Sequence, residues 1–306
     1  MRQEWIQKLN EYLGEENVLL NEPMSDHTTF RIGGPADIFL VPHSIEEVQK
    51  VLRFCREKDL PLFILGNGSN LLVSDGGYRG IVLQIYRNLE DIRVEGQEIR
   101  ASAGALLSGI AAAAKNASLT GFEFAGGIPG TLGGAVVMNA GAYGGEMKDV
   151  LKKVTVLTQT GELLTLPAEK LGLGYRTSII KTAGYLVLGA VLTLRPGDPE
   201  EIRARMRELS QHRKSKQPLE YPSAGSTFKR PEGYFAGKLI MDSGLRGYRV
   251  GGAQVSEKHC GFVINTGGAT AFDVRRLMKD VSDTVQERFG VQLEPEVKFL
   301  GEFPEL

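Results

Sequence analysis

The sequence has little of several features that mark well-known classes of protein. Its 306 residues include two cysteines, Cys55 and Cys260, which are far apart and form no C-x-x-C pair, so a reducing compartment fits best. Cys55 lies on the apolar side of a predicted helix, which favours a buried free thiol there. The four histidines are scattered without zinc spacing, so we expect no metal site. The net charge of -1 leaves no broad basic field, which argues against a nucleic-acid partner.

Long hydrophobic runs are also missing. The most apolar stretch, residues 185–194, is shorter than the roughly 20 residues that a membrane-spanning helix needs. Residues 1–14 form an amphipathic pattern with Trp5, Leu9, Tyr12 and Leu13 on one side, without the continuous apolar core of a signal peptide. We therefore expect a cytoplasmic protein with no membrane partner, and the sequence gives no reason to predict a stable protein partner.

Glycine is abundant, and it is concentrated in two loops. The segment GNGSN covers residues 66–70, and GGIPGTLGG at 126–134 continues into NAGAYGG at 139–145. Neither is a P-loop, and Leu71 stands where the dinucleotide fingerprint needs its third glycine. Successive backbone N–H groups in such loops form concave sites for anions, above all phosphates, although many glycine-rich loops are only tight turns. Two such loops suggest an elongated ligand that contains a diphosphate.

The early part of the chain has a β-α-β pattern. ADIFLV at 36–41 and PLFIL at 61–65 are typical of strands, and the second leads directly into the GNGSN loop. Ser44 and Glu47 form a capping box for the helix between them. Further strands are predicted at 71–73, 81–85, 98–102, 154–158 and 185–194, with an alanine-rich helix over 106–116.

A second group of elements follows residues 195–199. Asp198 as N-cap and Pro199 at the first turn predict a charged helix through about Gln211. Thr270 and Asp273 predict another capping box, for a helix closed by Gly290.

Three further segments could carry chemistry. Arg176, within YRTS at 175–178, could grip a carboxylate, although a surface ion pair is the commoner role. Ser226, within AGSTFKRP at 224–231, is flanked by small residues but lies in no nucleophile elbow, and a turn serine is the commoner role. If LEPEVKFL at 293–300 is a strand, Glu296 and Lys298 share one face. A glutamate beside a lysine could be a general acid or a substrate anchor, although a solvated strand face is the commoner case.

Taken in order, these segments resemble the UDP-N-acetylenolpyruvoylglucosamine reductase family, flavoenzymes of bacterial peptidoglycan precursor synthesis. The matching stretches are TTFRIGG at 28–34, GNGSNLL at 66–72, GIPGTLGG at 127–134, YRTS at 175–178, AGSTFK at 224–229 and LEPEV at 293–297. The resemblance extends from about residue 20 to the C-terminal residues. Each motif is weak alone, but their shared order is highly specific.

The resemblance implies an α+β protein with a two-subdomain FAD-binding fold of the PCMH or vanillyl-alcohol-oxidase type, followed by a smaller α+β substrate-binding domain. We expect the N-terminal helix and first FAD-binding subdomain at 1–89, the second at 90–195 and the substrate-binding domain at 196–306. The implied activity is that of a UDP-N-acetylmuramate dehydrogenase. NADPH reduces FAD, and the enolpyruvyl group of UDP-N-acetylglucosamine enolpyruvate is then reduced to the lactyl ether.

Roles for individual residues follow from the same resemblance. Arg176 is expected to stabilise enolate charge on the substrate carboxylate, Ser226 to donate the proton, and Glu296 to act as the second catalytic acid. The expected cofactor-binding residues are Arg31, Gly66, Asn67, Gly68, Ser69, Asn70, Leu71, Gly127, Ile128, Pro129, Gly130, Thr131, Gly133, Gly134, Asn139, Ala140 and Gly141. The expected substrate-binding cations are Lys216, Lys229, Arg230, Arg246 and Lys298, and Lys229 or a relay could supply the positive setting that Ser226 needs.

The chain departs from the longer form of the family, which carries an inserted loop with a tyrosine that closes over substrate. Residues 178–194 lead almost directly to the Pro196 boundary, so the shorter form is expected, with Tyr221, Tyr234 and Tyr248 as open candidates for that role. Two alternatives stay open. One is another FAD-dependent oxidoreductase on the same scaffold, although residues 44–211 contain no histidine to tether flavin. The other is a non-catalytic nucleotide-sugar binding protein.

Overall fold

The computed structural model describes residues 2–306. Its α-helices are α1 (Arg2–Leu13), α2 (Ile45–Glu57), α3 (Leu107–Asn116), α4 (Leu132–Val137), α5 (Ile179–Ala183), α6 (Pro199–Lys216), α7 (Ala236–Asp242) and α8 (Ala271–Phe289). The strands of the first half are β1 (Val18–Pro23), β2 (Pro35–Leu40), β3 (Leu62–Leu65), β4 (Leu71–Val73), β5 (Tyr78–Gln84), β6 (Ile92–Glu95), β7 (Glu98–Ser102), β8 (Leu119–Thr120), β9 (Gly141–Ala142) and β10 (Gly145–Glu146). Those of the second half are β11 (Leu151–Leu157), β12 (Leu163–Pro167), β13 (Leu186–Thr193), β14 (Arg195–Pro196), β15 (Ser223–Ser226), β16 (Arg249–Val250), β17 (Ala253–Val255), β18 (Phe262–Asn265) and β19 (Lys298–Leu300).

The chain forms two compact units, each assembled from separate segments. The first comprises residues up to Leu19, Ile38–Asn67 and Gly80–His212; the second comprises Leu20–Asp37, Gly68–Arg79 and Arg213–Leu306. The predicted division into two FAD-binding subdomains and a substrate-binding domain, with boundaries at residues 89 and 195, stays a prediction.

The first unit is built around an antiparallel sheet of order β12-β11-β13-β7-β6. Small and aliphatic side chains of α3 and α4 bury against it, including Ile110 and Ala111 of α3 and Val136 of α4. A second sheet has the order β1-β2-β5-β3, and β3 pairs in parallel with Ile81–Gln84 of β5. That pairing ends at Leu65, so the strand delivers the chain into the Gly66 loop, as predicted.

The second unit packs α7 and α8 with an antiparallel sheet of order β15-β18-β17-β16. Residues from far upstream complete its core: Phe30, Ile32 and Leu72 are buried with the apolar face of α8. The short strand β4 pairs in parallel with β19, joining Leu71–Val73 to Lys298–Leu300.

Several local predictions are confirmed. Thr270 and Asp273 form a reciprocal capping box for α8, which Gly290 ends in a left-handed conformation. At the start of α2 only half of the predicted box is present: the Ser44 hydroxyl accepts from the amide of Glu47, but the Glu47 carboxylate accepts from the amide of His43. Asp198 accepts from the amide of Glu200 at 2.6 Å as the cap of α6.

Two predictions are wrong in extent. Helix α6 continues to Lys216 rather than stopping near Gln211, because basic side chains are favourable in the last turn of a helix. Strand β19 begins at Lys298, so Glu296 lies outside it and the two do not share a strand face. Pro295 has no N–H to donate, and the amide of Glu296 donates instead to the carbonyl of Thr227.

Candidate active site

Two of the glycine-rich segments meet within the first unit. The side-chain amide of Asn67 donates to the carbonyl of Pro129 at 2.9 Å. A Cβ on Gly66 would lie 2.6 Å from the hydroxyl oxygen of Thr131, so a larger residue at Gly66 would push the segments apart. The backbone around Gly127 and Pro129 is exposed. This part of the first unit therefore has exposed, glycine-rich backbone, the kind of segment in which N–H groups can form anion-binding nests.

Not every amide of that loop is available to a ligand. The N–H of Leu132 donates to the carbonyl of Ala105, and the N–H of Gly133 donates to the carbonyl of Ala103, both at 2.8 Å. The backbone of Gly133 therefore packs closely against Ala103. Among the other predicted cofactor residues here, Thr131 and Ala140 are buried, Ile128 packs partly against the core, Gly130 and Gly141 are half-buried, and Gly134 is exposed.

Arg176 lies in a tight turn of the first unit. Gly174 and Thr177 exchange backbone hydrogen bonds of 3.2 and 3.3 Å across it, and Arg176 adopts a left-handed φ of 55°. The guanidinium carbon lies 5.2 Å from the ring centroid of Tyr175, which is exposed. The side-chain amide of Asn139, a residue predicted to bind cofactor, donates to the carbonyl of Gly174 at 3.2 Å. Sequence reasoning missed this link, since Asn139 and Gly174 are distant in the chain.

The second unit brings together the Arg31 and Gly68 segments. The amide of Thr29 donates to the carbonyl of Gly68 at 3.2 Å, and Arg31 is exposed with a left-handed φ of 55°. Gly68 has a φ of 60°, and a Cβ there would lie 2.0 Å from the carbonyl oxygen of His27. Of the neighbouring predicted residues, Ser69 and Asn70 are half-buried and Leu71 is buried within β4.

The segments that carry Ser226 and Glu296 are hydrogen-bonded to each other within the second unit. Ser226 is exposed at the end of β15, and the carbonyl of the following Thr227 accepts from the amide of Glu296 at 2.9 Å. Asn70 supports the same segment, since its side-chain amide donates to the carbonyl of Glu296 at 3.1 Å and its carbonyl accepts from the amide of Lys298 at 3.1 Å.

Thr227 anchors this arrangement, and sequence reasoning missed it. Thr227 is buried, its hydroxyl accepts from the amide of Val263 at 2.9 Å, and its amide donates to the carbonyl of Gly261 at 2.9 Å. The hydrogen-bond partners of Thr227 are Gly261, Val263 and Glu296. All three are distant from Thr227 in the chain, so the local motif gave no signal of this role.

The predicted substrate-binding cations all lie in the second unit. Lys229 forms an ion pair with Glu294, so a ligand would share its positive charge with that carboxylate. Arg230 stacks on Phe235, with the guanidinium carbon 3.9 Å from the ring centroid. Arg246 donates to the carbonyl of Glu257 and to the sulfur of Met241, whereas Lys216 and Lys298 are exposed.

Burial shifts several titratable groups. It raises the pKa of the Cys55 thiol to about 12, in agreement with the prediction that Cys55 is a buried free thiol, and it also raises the pKa of Cys260, which is buried too. Burial lowers the pKa of His259, whose Nδ1 accepts from the amide of Gly261. The hydroxyl of Tyr248 donates to Asp280, which raises the pKa of that tyrosine, while Tyr221 and Tyr234 are exposed. The choice among the three tyrosines stays open.

Candidate metal sites and membrane-spanning helices are both absent among residues 2–306. In this part of the chain no cluster of histidine, cysteine and carboxylate side chains could hold a metal ion. No helix in the same range is both long enough and apolar enough to cross a membrane.

Two family models match the chain. A model described as an FAD binding domain covers residues 35–167, and one described as the C-terminal domain of UDP-N-acetylenolpyruvoylglucosamine reductase covers residues 217–300. Their boundaries place both glycine-rich loops in the first match and Ser226 and Glu296 in the second.

Relatives of the chain share almost its full length. It is 58% identical to the UDP-N-acetylenolpyruvoylglucosamine reductase of Lachnoclostridium phytofermentans over 97% of each chain, and 55% identical to that of Caldanaerobacter subterraneus subsp. tengcongensis over 97% of this chain and 98% of the relative. The crystal structure of the reductase from Thermus caldophilus matches with a TM-score of 0.80 at 38% identity, covering 93% of this chain and 98% of that one. A p-cresol methylhydroxylase structure, at a TM-score of 0.50 and 15% identity over 65% of this chain and 44% of its own, shares the fold alone. The chain belongs to the UDP-N-acetylenolpyruvoylglucosamine reductase family.

Proposed function

We propose that this chain carries out the reaction of its family with Arg176, Ser226 and Glu296 as the catalytic residues. The chain is an FAD-dependent UDP-N-acetylmuramate dehydrogenase of peptidoglycan precursor synthesis, and it uses NADPH. Family membership thus decides against the two alternatives that the sequence left open. The cytoplasm as its location, the shorter form of the family and the three-domain division are part of the proposal.

The glycine-rich loops fit a flavin dinucleotide. Within the first unit, the backbone around the exposed Gly127 and Pro129 would hold the diphosphate together with Gly66 and Asn67. Arg31 and the residues at 68–71 stay proposed cofactor residues on the strength of the family motifs. FAD, when bound, supplies the hydride chemistry between NADPH and the vinyl group of UDP-N-acetylglucosamine enolpyruvate. The side chains of this protein then have two tasks, which are to stabilise charge and to deliver a proton.

Reduction of the vinyl group builds enolate charge on the substrate carboxylate. A guanidinium keeps its charge at any working pH and can donate two parallel hydrogen bonds to a carboxylate, so Arg176 suits this role. The exposed cations of the second unit, above all Lys216 and Lys298, would attract the diphosphate of the nucleotide sugar.

The observation that supports the proton-transfer role most directly is the backbone hydrogen bond from the Glu296 amide to the Thr227 carbonyl. It joins the segment of the exposed Ser226 to that of the half-buried Glu296. A hydroxyl is a weak acid, so it transfers a proton effectively only in a polar, hydrogen-bonding setting. The carboxyl group of Glu296 can supply part of that polar setting.

The test is to replace Ser226 and measure the two half-reactions separately. In an anaerobic stopped-flow experiment, we expect Ser226→Ala to keep its rate of flavin bleaching by NADPH. We expect reoxidation by the enolpyruvyl substrate to slow by about 10²–10⁴-fold, the usual contribution of a positioned acid.

Ser223→Ala, three residues earlier in the same strand, is the matched control and should keep both rates. An equal loss in both half-reactions of Ser226→Ala would show that Ser226 is structural. Holoprotein that NADPH does not bleach would overturn the use of NADPH by this chain.

A further inference from the structure

The turn that carries Arg176 has a backbone conformation that needs outside support. A left-handed φ is unfavourable at a residue other than glycine, and Arg176 has a φ of 55°. The two hydrogen bonds between Gly174 and Thr177 are long, at 3.2 and 3.3 Å, and the tip around Tyr175 is exposed. The backbone hydrogen bonds within the turn are therefore weak supports for its conformation.

Asn139 supplies such support from a buried position. Its side chain belongs to a residue only 1% exposed, and both amide hydrogens are used: Nδ2 donates to the carbonyl of Gly174 at 3.2 Å and to Oε2 of Glu146 at 2.6 Å. Oδ1 accepts from the amide of Lys148 at 2.9 Å. The side chain of Asn139 is therefore committed to protein partners, so a contact with cofactor falls to its backbone.

A second hydrogen bond ties the other flank of the turn to the same element. The hydroxyl of Ser178, which is 2% exposed, donates to the carbonyl of Val137 at 2.7 Å. Val137 is the last residue of α4, and Asn139 follows it by two residues. The end of α4 thus holds the turn on both sides of Arg176, through Gly174 before it and Ser178 after it.

We propose that Asn139 is a positioning residue for Arg176, fixing the guanidinium where it stabilises negative charge on the substrate. The inference rests on the proposed role of Arg176. It predicts that loss of the Asn139 side chain impairs the step that needs Arg176 more than it impairs flavin reduction. A residue that merely stabilised the fold would not separate the two half-reactions.

The experiment uses flavin-loaded protein in anaerobic stopped flow, with NADPH for the first half-reaction and the enolpyruvyl substrate for the second. For Asn139→Ala we expect a loss in the reoxidation rate about tenfold larger than any loss in the reduction rate, the size expected for one hydrogen bond. Glu146→Ala is the matched control, because it removes the other partner of Nδ2 and leaves Gly174 in place; it should keep reoxidation within about twofold. An equal slowing of reoxidation in Glu146→Ala would show that Asn139 acts through its contacts with Glu146 and Lys148 instead.

A double variant separates this inference from the proposed function. If Asn139 acts through Arg176, Asn139→Ala should cause no further loss of reoxidation in an Arg176→Ala background. A full additional loss there overturns the inference and leaves the role of Arg176 standing. Normal reoxidation in Arg176→Ala alone overturns that role, and the inference with it.

If Asn139→Ala yields no flavin-loaded protein, Ser178→Ala tests the same support from the other flank. It should again slow reoxidation selectively. Equal losses in both half-reactions of Ser178→Ala would then overturn the inference.

Discussion

Gly68 shows how one backbone position can constrain a predicted ligand loop. Its φ of 60° favours glycine, and the carbonyl oxygen of His27 occupies the place of a Cβ at 2.0 Å. The carbonyl of Gly68 also accepts from the amide of Thr29, so the loop and the segment of Arg31 are held together there. Any side chain at residue 68 would have to separate these two segments.

We therefore expect Gly68→Ala to lower the free energy of unfolding by roughly 2–4 kcal/mol, from backbone strain and overpacking together. Gly76→Ala is the matched control in the same unit, since a Cβ there would make an ordinary contact of 3.7 Å with the hydroxyl of Ser74. Urea unfolding of the two apoproteins measures the difference. Equal stability of the two variants would show that the segment of His27 yields without cost.

At the scale of single elements, the N-terminus of α8 has two sources of capping. The hydroxyl of Thr270 accepts from the amide of Asp273, and the two carboxylate oxygens of Asp75 accept from the amides of Ala271 and Phe272 at 2.7 and 3.0 Å. Free amides at a helix start need such partners. Asp75 is far from α8 in the chain, so this second cap joins two segments of the unit.

Thr270→Ala should lower the free energy of unfolding by about 1 kcal/mol, the usual loss for an N-cap. Thr270→Ser keeps the hydroxyl and should retain most of that stability. Urea unfolding checks both variants. An unchanged stability in Thr270→Ala would mean that Asp75 alone satisfies this helix end.

Elements with local signals could be predicted from the sequence, and elements set by distant partners could not. The caps of α2, α6 and α8 depend on residues within a few positions, so the starts of these helices were predicted correctly. The start of β19 was not, because the amide of Glu296 is taken by Thr227, far away in the chain. The same holds for the proposed catalytic residues. The sequence indicated Arg176, Ser226 and Glu296, but not the hydrogen bonds that Asn139 and Thr227 make to their segments.

At the scale of the whole molecule, flavin binding should stabilise the fold by mass action. FAD at about 100 times its dissociation constant should raise the free energy of unfolding of the apoprotein by about 2.7 kcal/mol. Riboflavin at the same concentration should raise it much less, because riboflavin has no diphosphate for the glycine-rich loops to hold. Calorimetric melting curves compare the two, and equal stabilisation would contradict a diphosphate site at these loops.

The pairing of β4 with β19 also sets the order of events while the chain is being made. Leu71–Val73 leave the ribosome early, but their partners Lys298–Leu300 lie almost at the C-terminal end of the chain. At a synthesis rate of about 5–20 residues per second, the early strand waits roughly 10–45 s for its partner. During that time its apolar side chains depend on a chaperone or on transient burial. The second unit is therefore completed only once Lys298–Leu300 have been made, and until then β4 is an unpaired apolar strand that can aggregate.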